Sequence, residues 1–590
     1  MFDKIACSNA NSLWGAVVAE VLQRLGLRVV IISPGSRSTP LTFALARHSK
    51  IETVPVLDER SASFFALGLA RRSNIPVALV STSGTAVANF FPAVIEAHES
   101  RIPLLVLTAD RPPEVRHCRE GQTIDQVKIY GKYPSFQAEL AMPSGTLGHL
   151  RHLRQTLVYA WERTQFPFRG PVHLNFPFRE PLSPETNDAK IEINDEVKHK
   201  AFFSQVQSLR KVVVEFPKTE IEQTISDLKE AKKGLIVVGP HYPGDAEEFA
   251  DSIGRISRFL NWPVIVDALG PLRNFAKFNP FLISNYDSIL RNEGYAKLLS
   301  PECVLSVGPL PTSKVLRTWL GRGDAKTWLL DCGPDNVDSL HRRTIPLRVT
   351  VETFARSFNR GPNRNREFLR TWMGFEKTTR RKIIQRMQNC AFNFEGRVAY
   401  TLSKSLPRRA VLIVANSMSV RDMEYFWQPN NSRIKVYCNR GANGIDGTLS
   451  TAIGIAHEGG RCFLLTGDLA FLHDINALLL TESFKGWLTI VLVNNLGGGI
   501  FENLPIAAYD PPFEDHFAMP QNVDFSKIAI AFGIGYERVK SMKSLPGLLI
   551  KKSQSKIRIL EMKTDRKRDT KFRRELLEEI AEELGNPQVS

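Results

Sequence analysis

The chain has 590 residues, enough for three or four domains at about 150 residues each, so a single small module is excluded. With 43% apolar and 23% charged residues it is too apolar for a disordered chain and apolar enough to bury several sheets. Lys plus Arg number 77 against 61 Asp plus Glu, a formal charge of +16, which directs attention to nucleic acid, anionic lipid or acidic small molecules as partners.

From the N-terminus one rhythm repeats: a short β-branched run, a Gly or Ser turn, then an Ala-rich amphipathic stretch. Leu27–Ile32 runs into Ser33–Pro40, Val54–Leu57 precedes Asp58-Glu59-Arg60, Val77–Val80 precedes Ser81–Thr85, and Leu104–Leu107 precedes Thr108–Arg111. Strands alternating with helices predict βαβ units and a parallel sheet covered on both faces. In such sheets a ligand sits beyond the carboxyl ends of the strands, where these turns lie. The polar stretch Ser183–Lys200 reads as a linker. A second α/β block follows, with strands predicted at Gly234–Gly239, Pro263–Asp267, Cys303–Gly308 and Trp328–Asp331. Arg360–Arg386 holds nine basic and two acidic residues, with helical spacing after about Glu367, and reads as a connector with no compensating charge nearby. The third block opens near Ala410 with Val411–Val414 and ends in a strand at Ile557–Leu560. The expected organisation is three doubly wound parallel-sheet α/β domains, 1–185, 205–360 and 385–590.

Seven scattered cysteines with no CxxC pair argue against a zinc site or a disulfide framework, and for a reducing compartment. No apolar run reaches the roughly 18 residues of a membrane span. The N-terminus, with Asp3 and Lys4 before an amphipathic stretch, reads as that of a mature, untargeted, cytoplasmic protein.

The segment richest in chemistry is Leu464-Leu465-Thr466-Gly467-Asp468-Leu469, with Asn494-Asn495-Leu496-Gly497-Gly498-Gly499 beginning 26 residues after Asp468. Both pieces end apolar strands. A carboxylate at one strand end, a carboxamide at the next and a glycine-freed carbonyl beside it suit a hard cation that takes oxygen ligands, its remaining positions filled by phosphate oxygens and water. Taken alone, Asp468 reads more simply as the cap of a helix near Leu472. The joint spacing with Asn494-Asn495 favours the cation.

This Gly-Asp and Asn-Asn spacing resembles the diphosphate and magnesium motif of thiamine-diphosphate enzymes. Within that superfamily the finer motifs resemble the family of 2-succinyl-5-enolpyruvyl-6-hydroxy-3-cyclohexene-1-carboxylate (SEPHCHC) synthases of menaquinone and phylloquinone biosynthesis. The matching segments are Ser33–Leu41, Asp58-Glu59-Arg60, Thr82–Asn89, Thr108–Glu114, Ala415–Asp422, Asn439–Gly447 and Gly467–Ala470, with Leu469 where most of the superfamily has glycine. The middle block matches less distinctly, best at Ser313–Leu316.

The resemblance implies decarboxylation of 2-oxoglutarate and addition of the succinyl unit to isochorismate, in a homodimer or homotetramer with active sites shared between subunits. It implies that Glu59 hydrogen-bonds the cofactor pyrimidine and that Ile445 keeps the cofactor bent. Thr82, Ser83, Gly84, Asn416, Ser417, Met418, Asn443, Gly444, Gly467, Asp468, Leu469 and Asn495 would line the cofactor, and Asp468, Asn495 and Gly497 would hold Mg2+ or Mn2+. Ser36, Arg37, Arg111 and Gln122 would face the acceptor, with Lys314 reaching in from the middle domain. Arg421 and Arg440, beside Ser417, would hold the donor carboxylates, while Ile500 and Phe501 would wall the thiazolium side. Some relatives carry arginine where this chain has Val315, and Arg317 is the candidate stand-in.

Guanidinium suits bidentate carboxylate recognition, and both substrates are polyanions. His98, His117 and His473 lie outside the matched segments and read as satisfied or surface histidines. The C-terminal basic run Lys563–Arg574 is offset by the glutamates after it, and no nucleic-acid module accompanies the connector. The alternatives are another thiamine-diphosphate enzyme, of the acetolactate synthase or 2-oxo-acid decarboxylase kind, and a non-catalytic relative that binds a partner through the connector.

Overall fold

The computed structural model describes residues 9–184, 200–207, 217–358 and 366–583. Residues 185–199 of the linker expected over Ser183–Lys200, and the opening of the connector, 360–365, lie outside them. Three six-stranded sheets are present, and every strand pairing in them is parallel. The first contains β1 (Val29–Ile32), β2 (Glu52–Pro55), β3 (Val77–Ser81), β4 (Leu104–Asp110), β5 (Phe136–Glu139) and β6 (Pro171–Pro177) in the order β2-β1-β3-β4-β6-β5. The second contains β7 (Gly234–Val238), β8 (Val264–Val266), β9 (Leu282–Ile283), β10 (Cys303–Val307), β11 (Lys326–Leu330) and β12 (Thr344–Leu347) in the order β12-β11-β10-β7-β8-β9. The third contains β13 (Val411–Val414), β14 (Lys435–Tyr437), β15 (Cys462–Gly467), β16 (Leu488–Asn494), β17 (Gly535–Arg538) and β18 (Ile557–Lys563) in the order β14-β13-β15-β16-β18-β17. The central strands β3, β4, β7 and β10 are buried at every residue. That is why they read as unbroken apolar runs, and why helices must cover both sheet faces.

The first and third sheets share one winding. Their strand order reverses between β1 and β3, and between β13 and β15, and such reversals open a crevice at the carboxyl edge. In the first sheet this edge carries the loops after β1 (Ser33–Ser38) and β3 (Thr82–Gly84). In the third it carries the loop Ala415–Ser417 and Asp468. The middle sheet reverses between β7 and β10, but there the backbone closes the gap, because a Cβ on Gly239 would stand 1.6 Å from the Pro309 carbonyl oxygen.

The chain divides into two compact units. The first comprises the described residues of 1–212, 439–459 and 472–487, and the second those of 213–438, 460–471 and 488–590. The first unit therefore holds the first sheet, and the second unit holds the other two. Within the first unit the helices Glu59–Ser73 and Thr448–His457 pack at glycine contacts. A Cβ on Gly68 would lie 2.2 Å from the Thr451 carbonyl oxygen, and one on Gly454 would lie 2.2 Å from that of Phe65.

The connector corrects an expectation. Part of the charge on its helix, Glu367–Asn389, is offset from outside: Lys382 pairs with Glu583 at 2.6 Å and Arg386 with Glu579 at 2.7 Å, while Arg380 pairs within the helix with Glu376 at 2.6 Å. In sequence Glu579 and Glu583 lie 193 and 201 residues from these partners, so their role is visible only once the C-terminal helix Arg566–Glu582 is folded beside the connector. Trp372 and Phe375, the aromatics a nucleic-acid surface would need exposed, are core residues. Among the described residues the cysteines are free, and no helix is long and apolar enough to cross a membrane.

Candidate active site

In the second unit, β15 and β16 are neighbours with Gly467 opposite Val493, so Asp468 and Asn494 leave adjacent strand ends together. Asp468 opens the helix Asp468–His473 and is 2% exposed. Burial pushes its carboxyl pKa up to about 6, opposed by the N–H of Gly497, which donates to Oδ2 at 2.9 Å, and that of Leu469, which donates to Oδ1 at 2.9 Å. The loop after β16 is built for close approach. Leu496 and Gly497 have φ of 59° and 127°, and a Cβ on Gly497 would stand 2.3 Å from the Ala518 carbonyl oxygen. Gly498 N–H donates to that carbonyl at 2.7 Å, and Arg566 holds the Leu496 carbonyl at 2.7 Å.

The two asparagines part company here. Asn494 Nδ2 donates to Glu561 at 2.7 Å, whereas Asn495 Nδ2 donates to Glu395 at 2.8 Å and leaves its Oδ1 buried without a hydrogen-bond partner. A buried, unpartnered carboxamide oxygen with a buried carboxylate and a loop carbonyl is a hard-oxygen donor set. These residues therefore fit a divalent cation, although among the described residues no group of three His, Cys, Asp or Glu side chains could hold one.

The loop after β13 is strained. Ser417 has φ 72° ahead of the helix Met418–Phe426, a conformation that costs a non-glycine residue about 1–3 kcal/mol and concentrates at ligand sites. Asn416 is buried beside Cys438. Arg421 donates back to the Ser417 carbonyl at 2.6 Å. A cleft of about 1000 Å³ opens in this unit and gathers four of the expected residues, Lys314, Met418, Arg421 and Ile500. Lys314 starts the helix Lys314–Arg322, which is capped by Ser313. Val315 also lines the cleft, whereas Arg317, whose Nε donates to the Pro311 carbonyl at 3.0 Å, is not among the residues lining it. Arg322 and Arg574, which sequence reasoning passed over, line the cleft instead. Phe501 packs edge-on against Phe517.

In the first unit Asp58, not Glu59, caps the helix Glu59–Ser73, accepting the Ser61 N–H at 3.0 Å. The Glu59 carboxylate is thus not consumed by the cap. The loop after β3 is locked to the segment around Gln122: Ser83 Oγ donates to the Gln122 carbonyl at 2.8 Å, Gln122 Nε2 returns a bond to the Ser83 carbonyl at 3.0 Å, and Gly84 N–H donates to Gln126 at 2.9 Å. A Cβ on Gly35 would stand 2.2 Å from Thr82, so Ser36 and Arg37 follow a turn pressed against Thr82. Arg37 is buried, with one nitrogen on the Phe178 carbonyl at 3.0 Å and another on Glu180 at 3.1 Å. Burial first, and the neighbouring Arg111 charge second, lower its pKa. Two guanidiniums that crowd one another, each with a buried Nε lacking a partner, suit an anionic ligand.

Arg440, Asn443, Gly444 and Ile445 also belong to the first unit. Their loop is anchored by Glu96, which accepts the N–H groups of Gly441 at 3.0 Å and Ala442 at 2.7 Å. Asn443 has φ 63°, and the Ile445 carbonyl accepts Thr448 Oγ1 at 2.8 Å. His98 is satisfied by the Tyr133 carbonyl at 2.7 Å, and His117 and His473 are exposed.

Three family models match in order along the chain: the thiamine pyrophosphate enzyme N-terminal TPP binding domain over residues 14–129, the middle domain over 202–414 and the C-terminal TPP binding domain over 418–556. Curated relatives named SEPHCHC synthase run nearly end to end. That of Gloeothece citriformis is 51% identical over 96% of this chain and 97% of its own length, and that of Trichodesmium erythraeum is 48% identical over 95% and 97%. That of Rippkaea orientalis is 47% identical over 98% and 97%. With this likeness along its whole length, and with the same three domains in the same order, the chain belongs to the SEPHCHC synthase family of thiamine-diphosphate-dependent enzymes.

Proposed function

We propose that this transferase decarboxylates 2-oxoglutarate and adds the succinyl unit to isochorismate, giving SEPHCHC for menaquinone or phylloquinone biosynthesis. The observation that carries the substrate assignment is the cleft in which Lys314 and Arg421 meet the apolar Met418 and Ile500. Cations able to take carboxylates stand there beside apolar side chains.

Thiamine diphosphate, when bound, would supply the carbon nucleophile and the electron sink that the decarboxylation requires. The chain's own residues bind and orient. Asp468, the unpartnered Oδ1 of Asn495 and the Gly497 carbonyl would hold Mg2+ or Mn2+ with the diphosphate, alongside Gly467, Leu469 and the loop Asn416–Met418. Glu59 would hydrogen-bond the aminopyrimidine, and Thr82, Ser83 and Gly84 would shape the same ring's pocket. Asn443 and Gly444 would line the cofactor, and Ile445 would be the apolar residue that orients it. Arg421 and Arg440 take the donor carboxylates, while Arg37, Arg111, Ser36, Gln122 and Lys314 receive the acceptor. Ile500 and Phe501 keep water from the reacting carbon. In a dimer or tetramer, Glu59 of one copy serves cofactor bound at Asp468 of another.

The test is to incubate the protein with thiamine diphosphate, Mg2+, 2-oxoglutarate and isochorismate, following loss of isochorismate absorbance and release of carbon dioxide. Coupled turnover is expected. Turnover with pyruvate and none with 2-oxoglutarate would overturn the donor assignment and favour an acetolactate synthase type of reaction.

A further inference from the structure

The Asn495 carboxamide has two different ends, and its surroundings decide which way each points. Its Nδ2 donates to Glu395 Oε2 at 2.8 Å. A carboxylate only accepts, so the NH2 end must face Glu395 and Oδ1 must face away. That Oδ1 is buried and has no hydrogen-bond partner. Space for this orientation depends on Gly499, where a Cβ would stand 2.8 Å from Nδ2.

Glu395 cannot turn freely either. Its other oxygen accepts from Arg573, and Arg573 Nε donates to Asp422 Oδ1 at 2.8 Å. The Glu395 backbone N–H is held by Asp569 at 2.9 Å. The side chains of Glu395, Arg573 and Asp422 are 2%, 3% and 6% exposed, so the chain of charge-assisted bonds runs through a dry region, where such bonds are strong and geometrically strict.

We infer that Glu395 is a positioning residue for the divalent cation: it presets Asn495 Oδ1 as a ligand, and Arg573, braced by Asp422, presets Glu395. The inference rests on the reading of Asp468 and Asn495 as cation ligands. Mg2+ demands near-ideal octahedral geometry, whereas Ca2+ accepts looser and more variable coordination. A carboxamide released to rotate therefore penalises Mg2+ more than Ca2+, a difference that a loss of general stability would not produce.

The experiment titrates the full-length protein, at saturating thiamine diphosphate, with MgCl2 or CaCl2 and follows cofactor loading by tryptophan fluorescence. Glu395→Ala is expected to raise the Mg2+ concentration for half-loading by about 10- to 100-fold, the usual range for an outer partner of a metal ligand, and the Ca2+ concentration by clearly less. Arg573→Lys, which keeps a charge but loses the fork, is expected to act in the same direction and reports even if the alanine variant does not fold. Unchanged or equal shifts for the two cations, with Asp468→Ala abolishing Mg2+-dependent loading, would overturn the positioning role alone. A wild-type Mg2+ requirement in Asp468→Ala would remove the ligand reading, and the positioning role with it.

Discussion

Asp468 accepts the backbone N–H of Gly497 at 2.9 Å, so the carboxylate ending β15 and the loop after β16 are joined by the chain itself. The bond depends on Gly497 at φ 127°, with no room for a side chain against Ala518. Gly497→Ala is expected to cost more than about 1 kcal/mol of stability and to weaken Mg2+-dependent cofactor loading. Calorimetric melting and a Mg2+ titration check both. A variant that melts and loads like wild type would show that the loop has another way to relax.

How far such a site can be read in advance depends on whether its parts are neighbours in sequence. Asp468 and Asn495 were legible because adjacent parallel strands set a fixed rhythm of strand, helix and strand, and the first, buried strands of each sheet were legible as apolar runs. The strands β5, β9, β12 and β14 lie at or near sheet edges and are short or partly polar, as in Phe136–Glu139 and Lys435–Tyr437, so they carry no comparable signal. Glu395 and Arg573 could not have been found: each is an ordinary charged residue until folding brings it to a partner 100 or 178 residues away. A similar separation hid the two glutamates that offset part of the connector's charge.

The proposed division of the cationic residues between the two substrates gives a kinetic test. Arg37 is buried beside Arg111 in the first unit, and Arg421 lines the cleft of the second. Arg37→Gln is expected to lower kcat/KM for isochorismate by about 10- to 100-fold, equivalent to about 1.4–2.8 kcal/mol, with carbon dioxide release from 2-oxoglutarate alone little changed. Arg421→Ala is expected to raise KM for 2-oxoglutarate. Stopped-flow assays with and without acceptor separate the two, and an equal effect of both variants on the uncoupled decarboxylation would contradict the division.

The helix that carries Arg421 is pinned by its own buried carboxylate. Glu424 Oε2 accepts the Ala268 N–H at 2.7 Å, and Oε1 accepts Tyr286 Oη at 2.5 Å and the guanidinium of Arg273, which is 0% exposed. Removing one partner of such a pair leaves a buried charge and costs about 3–5 kcal/mol. Arg273→Met should therefore lower the melting temperature sharply, and Arg273→Met with Glu424→Gln should recover part of the loss. Failure of the second change to recover anything would mean that Arg273 matters through packing alone.

If Glu59 of one copy serves cofactor held by Asp468 of another, two inactive variants should complement. Glu59→Gln and Asp468→Ala each lack one half of every site. In a randomly mixed dimer about half the molecules are hybrids, and one of the two sites in each hybrid is intact. Refolding or exchanging the two together should restore about a quarter of wild-type activity. Recovery near zero, with subunit exchange demonstrated by mass, would place both residues of each site on one chain.

The first unit contains a second buried acid whose ionisation can be read in stability. Asp474 is 0% exposed and accepts the Ser450 N–H at 2.6 Å and Oγ at 3.0 Å. Burial pushes its pKa up to about 7, against the opposing pull of those bonds. A carboxyl whose pKa is higher in the folded than in the unfolded state holds its proton more tightly when folded. Its contribution to stability is therefore present at low pH and is lost as pH rises from about 4 to about 7. Asp474→Asn removes the titration while keeping an acceptor for Ser450. Its melting temperature relative to wild type should accordingly rise from pH 4 to pH 8, with the gap smallest at the acid end. A gap that does not change with pH would mean that Asp474 is not the group losing its proton in this range.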